Sequence, residues 1–302
     1  MARPPYRAAC QALAMLTLAH LSDTHIDDDP RSADRTRAVM RHLESLPGPL
    51  DAVLVTGDIA DHGLAEEYGT ARDLLASRFP TVVCPGNHDD RAAFRKVLLG
   101  ADGDEESGDG GDGRGSEDGD GSEDRGDERG RGDGGGSGDE SGRGDESGPV
   151  NRVLRLDGLI VALCDSSVPG RPEGFLEDET IAWLDAVLTG SPDTPALVGM
   201  HHPAAALGIP YVDGIGLRSP ERLEEVLHRH PQVVAVLAGH AHTPASTVFA
   251  GLPLLVAPGV VSTALTPAET TARIPVDRDL PPQFALHVFD GHRLTTHVRT
   301  VP

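Results

Sequence analysis

Five apolar runs in this chain each end in a cluster of Asp, Asn or His, and that arrangement limits the folds open to it. The clusters are Asp23-Thr24-His25, Gly57-Asp58-Ile59-Ala60-Asp61, Gly86-Asn87-His88-Asp89, His201-His202 and Gly239-His240-Ala241-His242. The runs before them, 16–21, 52–56, 81–84, 196–200 and 233–238, are short, apolar and rich in Val, Leu and Ala, as buried strands are. Each cluster is therefore expected on a loop at the end of a strand. The donors are oxygens and imidazoles with no thiolate among them, and together they suffice for a dinuclear metal site. That donor set suits two divalent ions of Mn, Fe or Zn.

Between the strands, 32–46 and 64–78 have helical periodicity, and 91–99 reads as a short helix. Later in the chain, 153–156 and 159–164 form a candidate hairpin about the Asp157-Gly158 turn. A helix over 179–188 has Asp178 as its expected N-cap. Another starts at Ser219-Pro220-Glu221, a capping Ser with Pro at the first helical position, and runs to about His230. Strands at 247–249, 252–256, 284–289 and 295–301 complete the pattern. Alternating strands and helices point to a layered α/β domain.

Residues 101–148 cannot join that domain. Their 48 positions hold 18 Gly, 18 Asp or Glu, 5 Arg and 7 Ser or Ala, with nothing able to build a core. Such a tract buries too little apolar surface to offset its ordering entropy, so a disordered insert is expected. Its three Arg-Gly-Asp triplets, at Arg125, Arg131 and Arg143, follow from composition and do not imply adhesion. About 240 residues remain, enough for a single domain over 15–302 with a substantial core. The first fourteen residues read as a dispensable extension. Their mildly apolar stretch runs straight into the strand before Asp23, so cleavage as a signal peptide would destroy the cluster, and Met15 is a plausible alternative start.

The insert carries 13 of the 22 net negative charges, and Lys96 is the only lysine. No basic stripe exists for long nucleic acid, so a small substrate is expected and stable nucleic-acid binding is not. Cys10, Cys84 and Cys164 lack metal or redox spacing, and the latter two read as buried thiols. No apolar run reaches the length of a membrane span. Cytoplasmic location is the expectation.

The ordered set of five clusters resembles the calcineurin-like metallophosphoesterases, and within them the bacterial class III cyclic-nucleotide phosphodiesterases. The resemblance covers residues 16–100 and 150–260. Cys164-Asp165-Ser166-Ser167-Val168-Pro169-Gly170 and the stretch from Phe175 to Leu184 are similar to that group as well. It implies a four-layer α/β/β/α sandwich, two packed β-sheets flanked by helices. Asp58 would bridge two ions, one also held by Asp23, His25 and His242, the other by Asn87, His201 and His240. A metal-bridging hydroxide would attack phosphorus in line. His88 matches the family histidine that faces the substrate and would protonate the leaving oxygen or stabilise the transition-state charge, and Asp61 is expected to fix its tautomer. A homodimer is suggested by the same similarity.

Pairs two apart on a strand share a face, which would let Asp23 act with His25 and His240 with His242. Asp89 is expected to cap or tether the turn after it, and His202 either to set its loop or to contact the substrate. His42, His228, His230, His287 and His297 read as surface or packing positions. His62 departs from the Arg that phosphoprotein phosphatases carry there, which counts against a protein phosphatase. The resulting expectation is a phosphodiesterase of a small molecule, with 3′,5′-cyclic AMP the leading substrate and glycerophosphodiesters next. A non-catalytic scaffold on the fold would have lost ligands that this chain keeps. The substrate loops would be 204–217 and 264–282.

Overall fold

The computed structural model describes residues 15–100 and 148–302; the N-terminal extension, Cys10 and all but the last residue of the acidic tract lie outside the described residues. The chain begins β1 (Leu16–Leu21), α1 (Pro30–Glu44), β2 (Ala52–Thr56), α2 (Ala65–Leu75), β3 (Thr81–Cys84) and α3 (Arg91–Ala93). A wider π-helical turn, Phe94–Leu99, continues α3. After the tract come β4 (Arg152–Leu156), β5 (Leu159–Cys164), α4 (Asp178–Thr189), β6 (Ala196–Met200), α5 (Pro210–Asp213), α6 (Glu221–Arg229) and β7 (Val233–Ala238). The remaining strands are β8 (Ala245–Phe249), β9 (Leu252–Val256), β10 (Thr263–Ala264), β11 (Val276–Asp277), β12 (Gln283–Phe289) and β13 (Leu294–Thr300).

Two sheets carry the fold, a five-stranded one in the order β13-β12-β1-β2-β3 and a six-stranded one in the order β4-β5-β6-β7-β9-β8. Side-chain alternation along the strands decides the layers. Leu18, Leu54 and Val82 of the first sheet meet Val161, Leu163, Leu197 and Leu237 of the second, and this core fills the space between the sheets. Their neighbours Ala19, Val53, Val55 and Val83 point the other way, onto Val39 and Leu43 of α1 and Tyr68 and Leu75 of α2. On the far side Ile160, Ala162, Val198 and Val236 pack under Leu184 and Leu188 of α4 and Leu223 and Leu227 of α6. Helix, sheet, sheet, helix is the expected four-layer sandwich.

β1, β2 and β3 run parallel, as do β5, β6, β7 and β9. Parallel strands deliver their C-terminal ends to one edge, so the clusters after β1, β2, β3, β6 and β7 meet there. This is why five segments scattered through the sequence converge.

Several local expectations are corrected. Asp178 is the first residue of α4 rather than its cap; Glu177 holds the cap position, and the Asp178 carboxylate pairs with Arg222. Ser219 does not cap α6 through its side chain, because it sits in the left-handed region at φ 51° and Pro220 occupies the cap position. Helix α1 starts earlier than its periodicity suggested, at Pro30, with the Asp29 side chain accepting from Arg31 N–H. The 157–158 turn is as expected, with Gly158 at φ 83° and Leu156 paired to Leu159.

Candidate metal centre

Asp23, His25, Asp58, His240 and His242 all have φ between 38° and 66°, a conformation costly to residues with a Cβ. The pairing of Asp23 with His25 and of His240 with His242 therefore does not come from strand pleating, as the spacing suggested. It comes from left-handed turns just past the strands. The β1 and β2 loops hold each other in these turns: Asp23 N–H donates to Gly57 O at 3.1 Å and His25 N–H to Asp58 O at 2.9 Å. Strain collected on five site residues and locked by cross-loop hydrogen bonds marks a preorganised site.

Asp23, His25, Asp58 and His242 offer one donor atom each within 4.8 Å of one another. His25 Nε2 lies 3.1 Å from His242 Nε2 and 3.5 Å from Asp58 Oδ2, while His242 Nε2 lies 3.3 Å from Asp23 Oδ1. A second group forms on the other side of Asp58. His201 Nε2 is 3.3 Å from Asp58 Oδ2, 3.2 Å from Asn87 Oδ1 and 3.1 Å from His240 Nδ1. One carboxylate oxygen of Asp58 thus stands between two donor sets. Its other oxygen accepts His88 N–H at 2.9 Å, which fixes the carboxylate plane.

These residues fit cations rather than one another. Imidazole nitrogens face imidazole nitrogens, and the buried Asp23 Oδ1 and His240 Nε2 have no hydrogen-bond partner among the described residues. The outer nitrogens of three rings are anchored: His25 Nδ1 on Asp61 Oδ1, His201 Nδ1 on Thr56 O and His242 Nδ1 on Ser262 Oγ, each at 2.7 Å. Such outer bonds orient the inner nitrogen toward a metal. Burial alone would raise Asp58 and lower His25 and His201; for His25 the hydrogen bond with Asp61 and the Asp58 and Asp23 charges reverse it, and for Asp58 and His201 their mutual attraction does. Asp58 is held well below the usual carboxylate range, His25 is raised, and His201 is raised to about 9. A cation would take the place of those protons. Burial lowers His240 and His242, so both offer neutral donors.

Glycine makes room at two points. A Cβ on Gly86 would lie 2.3 Å from Asp58 Oδ1, and one on Gly57, itself at φ 84°, would lie 2.5 Å from His201 Nδ1.

His88 stands at the mouth with its side chain 42% exposed, unlike the buried donors beneath it. Its tautomer is set by Asp61, though not by the carboxylate as expected. His88 Nδ1 bonds the Asp61 backbone carbonyl at 2.7 Å, while the carboxylate reaches His25 and stands 3.5 Å from His88. The Asp61 side chain turns inward because His25 is the nearer N–H. Asp89 does more than tether its own turn: it accepts Gly86, Ile59 and Ala60 N–H and the Tyr68 hydroxyl, tying the β2 and β3 loops together. Burial and the nearby Asp58 lift it to about 6 despite those donors. His202 belongs to the framework, with Nδ1 at 2.8 Å from Ser166 Oγ and Nε2 at 3.3 Å from Pro172 O.

Three supports had no sequence signal that marked them as site residues. Ser262 reaches His242 from a loop twenty residues on. The Thr56 carbonyl belongs to a strand residue read only as apolar framework. Arg91 is buried and clasps Asp165 at 2.8 Å and Glu177 at 2.9 Å, joining the segment after β3 to the loop after β5. Among the described residues no helix is long and apolar enough to cross a membrane.

Residues 16–244 match the family model of the calcineurin-like phosphoesterases, and the chain belongs to that family. It is accordingly a metal-dependent phosphoesterase. It is 31% identical over 266 residues to the glycerophosphodiester phosphodiesterase GpdQ of Enterobacter lignolyticus, covering 82% of this chain and 78% of that one. Against a cAMP/cGMP dual specificity phosphodiesterase of Mycobacterium tuberculosis the identity is 29%, with coverages of 83% and 69%. A dimetal phosphatase from Danio rerio shares the fold with a TM-score of 0.64 at 17% identity, covering 95% of this chain and 96% of that one.

Proposed function

We propose that the chain hydrolyses a small phosphodiester, with 3′,5′-cyclic AMP the leading substrate, at a centre of two divalent ions. The observation that carries this reading is Asp58 Oδ2, flanked at 3.5 and 3.3 Å by one imidazole from each donor set. In it, Asp23, His25, Asp58 and His242 hold one ion, and Asp58, Asn87, His201 and His240 the other. Mn, Fe and Zn all suit the donors, which include no thiolate. Two bound ions would supply a water of lowered pKa and neutralise phosphoryl charge.

The chain's own groups do the rest. Thr56, Ser262 and Asp61 hold the ring nitrogens outward, so that His201, His242 and His25 present Nε2 to the centre. Asp58 keeps its plane through the His88 N–H. His88, exposed at the mouth, donates Nδ1–H to the Asp61 carbonyl; in its doubly protonated form it directs the second proton, on Nε2, to the departing oxygen and is left as the neutral Nδ1–H ring.

A glycerophosphodiester is the second reading, favoured by the 31% identity to the glycerophosphodiester phosphodiesterase. Steady-state hydrolysis with Mn²⁺ separates the two, comparing 3′,5′-cyclic AMP, glycerophosphocholine and bis-p-nitrophenyl phosphate. A kcat/KM preference for cyclic AMP that is lost in His88→Ala supports the first reading. A preference for glycerophosphocholine replaces it with the second, and inactivity on all three with metal bound removes both.

A further inference from the structure

Next to the centre, on its solvent side, the loop after β2 carries a side-chain chain that the reaction above does not use. His62 Nδ1 donates to Glu67 Oε1 at 2.8 Å. Glu67 lies in the first turn of α2 with its side chain 7% exposed, and its second oxygen accepts His62 N–H at 3.0 Å and Leu64 N–H at 3.1 Å. Three donors therefore converge on one buried carboxylate, and the imidazole is gripped by both ring and backbone. This leaves His62 Nε2 directed at Asp61 Oδ2, 3.5 Å away. The opposite oxygen of Asp61 is the one that holds His25 Nδ1 at 2.7 Å. The row runs Glu67, His62, Asp61, His25, from a helix N-terminus to the centre.

The arrangement meets a specific mechanical need. Asp61 is 30% exposed on its side chain, so water competes for the outer oxygen and lets the carboxylate rotate away from His25. A cationic or donating group fixed on that oxygen removes the freedom. His62 is 59% exposed, and its hydrogen bonds to Glu67 through ring and backbone are what hold it. Flanking carboxylates favour a ring proton on both nitrogens, first Glu67 through its hydrogen bond and then Asp61 through charge.

From this geometry we infer that His62, braced by Glu67, is a positioning residue for the metal centre: it steadies the Asp61 carboxylate and through it the orientation of His25 as a ligand. The inference rests on the dinuclear reading of the site. It assigns His62 a structural-chemical task distinct from the substrate-facing task of His88. Ligand-orienting outer groups typically change metal affinity by about 10–100-fold. One link further out, His62 should contribute about 3–10-fold, below the effect of Asp61 itself.

The test measures Mn²⁺ binding to the full chain by equilibrium dialysis and by the EPR signal of free Mn²⁺, without substrate. The set is wild type, His62→Ala, Glu67→Gln, the double variant, Asp61→Asn and Asp58→Ala, with circular dichroism to check folding. Expected are a weakening of about 3–10-fold in His62→Ala, a similar loss in Glu67→Gln and no further loss in the double variant. His62→Arg, which keeps a donor toward Asp61, should restore part of the affinity. Wild-type affinity in His62→Ala, with Asp61→Asn weakened, overturns the inference and leaves the centre intact. Additive losses in the double variant also overturn it, since Glu67 would then act only as the α2 cap. Wild-type binding in Asp58→Ala would instead remove the metal-centre reading beneath it.

Discussion

Beneath the metal centre, two histidines make the fold sensitive to acid. His20 of β1 and His287 of β12 are fully buried, with His20 Nδ1 3.1 Å from His287 Nε2. The outer nitrogens are committed as well, His20 Nε2 to Thr56 Oγ1 at 2.9 Å and His287 Nδ1 to Thr296 Oγ1 at 2.8 Å. Neutral rings satisfy this row by alternating donor and acceptor; an added proton places two N–H groups against each other in a fully buried site. Burial lowers His287 to about 4, and burial together with its neighbour lowers His20 well below the usual value. Because the folded value lies below the unfolded value of about 6.5, the unfolded chain binds more protons between those limits. Stability is therefore complete above pH 7 and is lost as pH falls from about 6.5 toward 4. For His287 alone, the two values give a loss of about 2 kcal/mol between pH 8 and pH 5, approaching about 3 kcal/mol below pH 4. Urea unfolding at pH 8 and pH 5 tests this, in chelator so that metal release does not contribute. His287→Gln keeps an amide donor and acceptor but cannot charge. Wild type should lose about 2 kcal/mol more than the variant over that range. Equal losses in the two proteins would refute the argument.

Asp58→Ala and Asn87→Ala should abolish turnover while leaving the far-ultraviolet circular dichroism unchanged, read on bis-p-nitrophenyl phosphate. Gly86→Ala places a methyl 2.3 Å from Asp58 Oδ1, so Mn²⁺ affinity should fall by about tenfold or more in a dialysis measurement. Arg91→Ala leaves the buried Asp165 without its counter-charge and should destabilise the fold by about 3–5 kcal/mol in urea unfolding. Metal binding should release protons at pH 7, because His25 and His201 are raised, the latter to about 9. Mn²⁺ affinity should therefore weaken as pH falls below about 9; calorimetry in buffers of different ionisation enthalpy measures the protons released.

The supports of the site were the part least visible beforehand. Asp61 does partner His88 as expected, but through its backbone carbonyl, while its carboxylate serves His25, a residue 36 positions away. Ser262, Arg91 and the His20–His287 pair carry no local signature, because a hydrogen bond across the fold leaves no periodicity in either partner's neighbourhood. The strand cores were legible for the opposite reason. Leu18 and Leu54 on one face, Ala19 and Val55 on the other, follow an alternation that burial on both faces of a sheet imposes on consecutive residues.

Sequence by itself determined the donor types, their places after apolar runs and hence the layered class, since hydrophobic periodicity and ligand chemistry are properties of neighbours along the chain. Only the tertiary structure decided how those donors meet. Parallel strands bring five ends to one edge, left-handed turns aim Asp23, His25, Asp58, His240 and His242, and distant side chains set which nitrogen each ring turns inward. Those are relations between residues far apart in the chain, and they exist only once the two sheets have closed on their shared core.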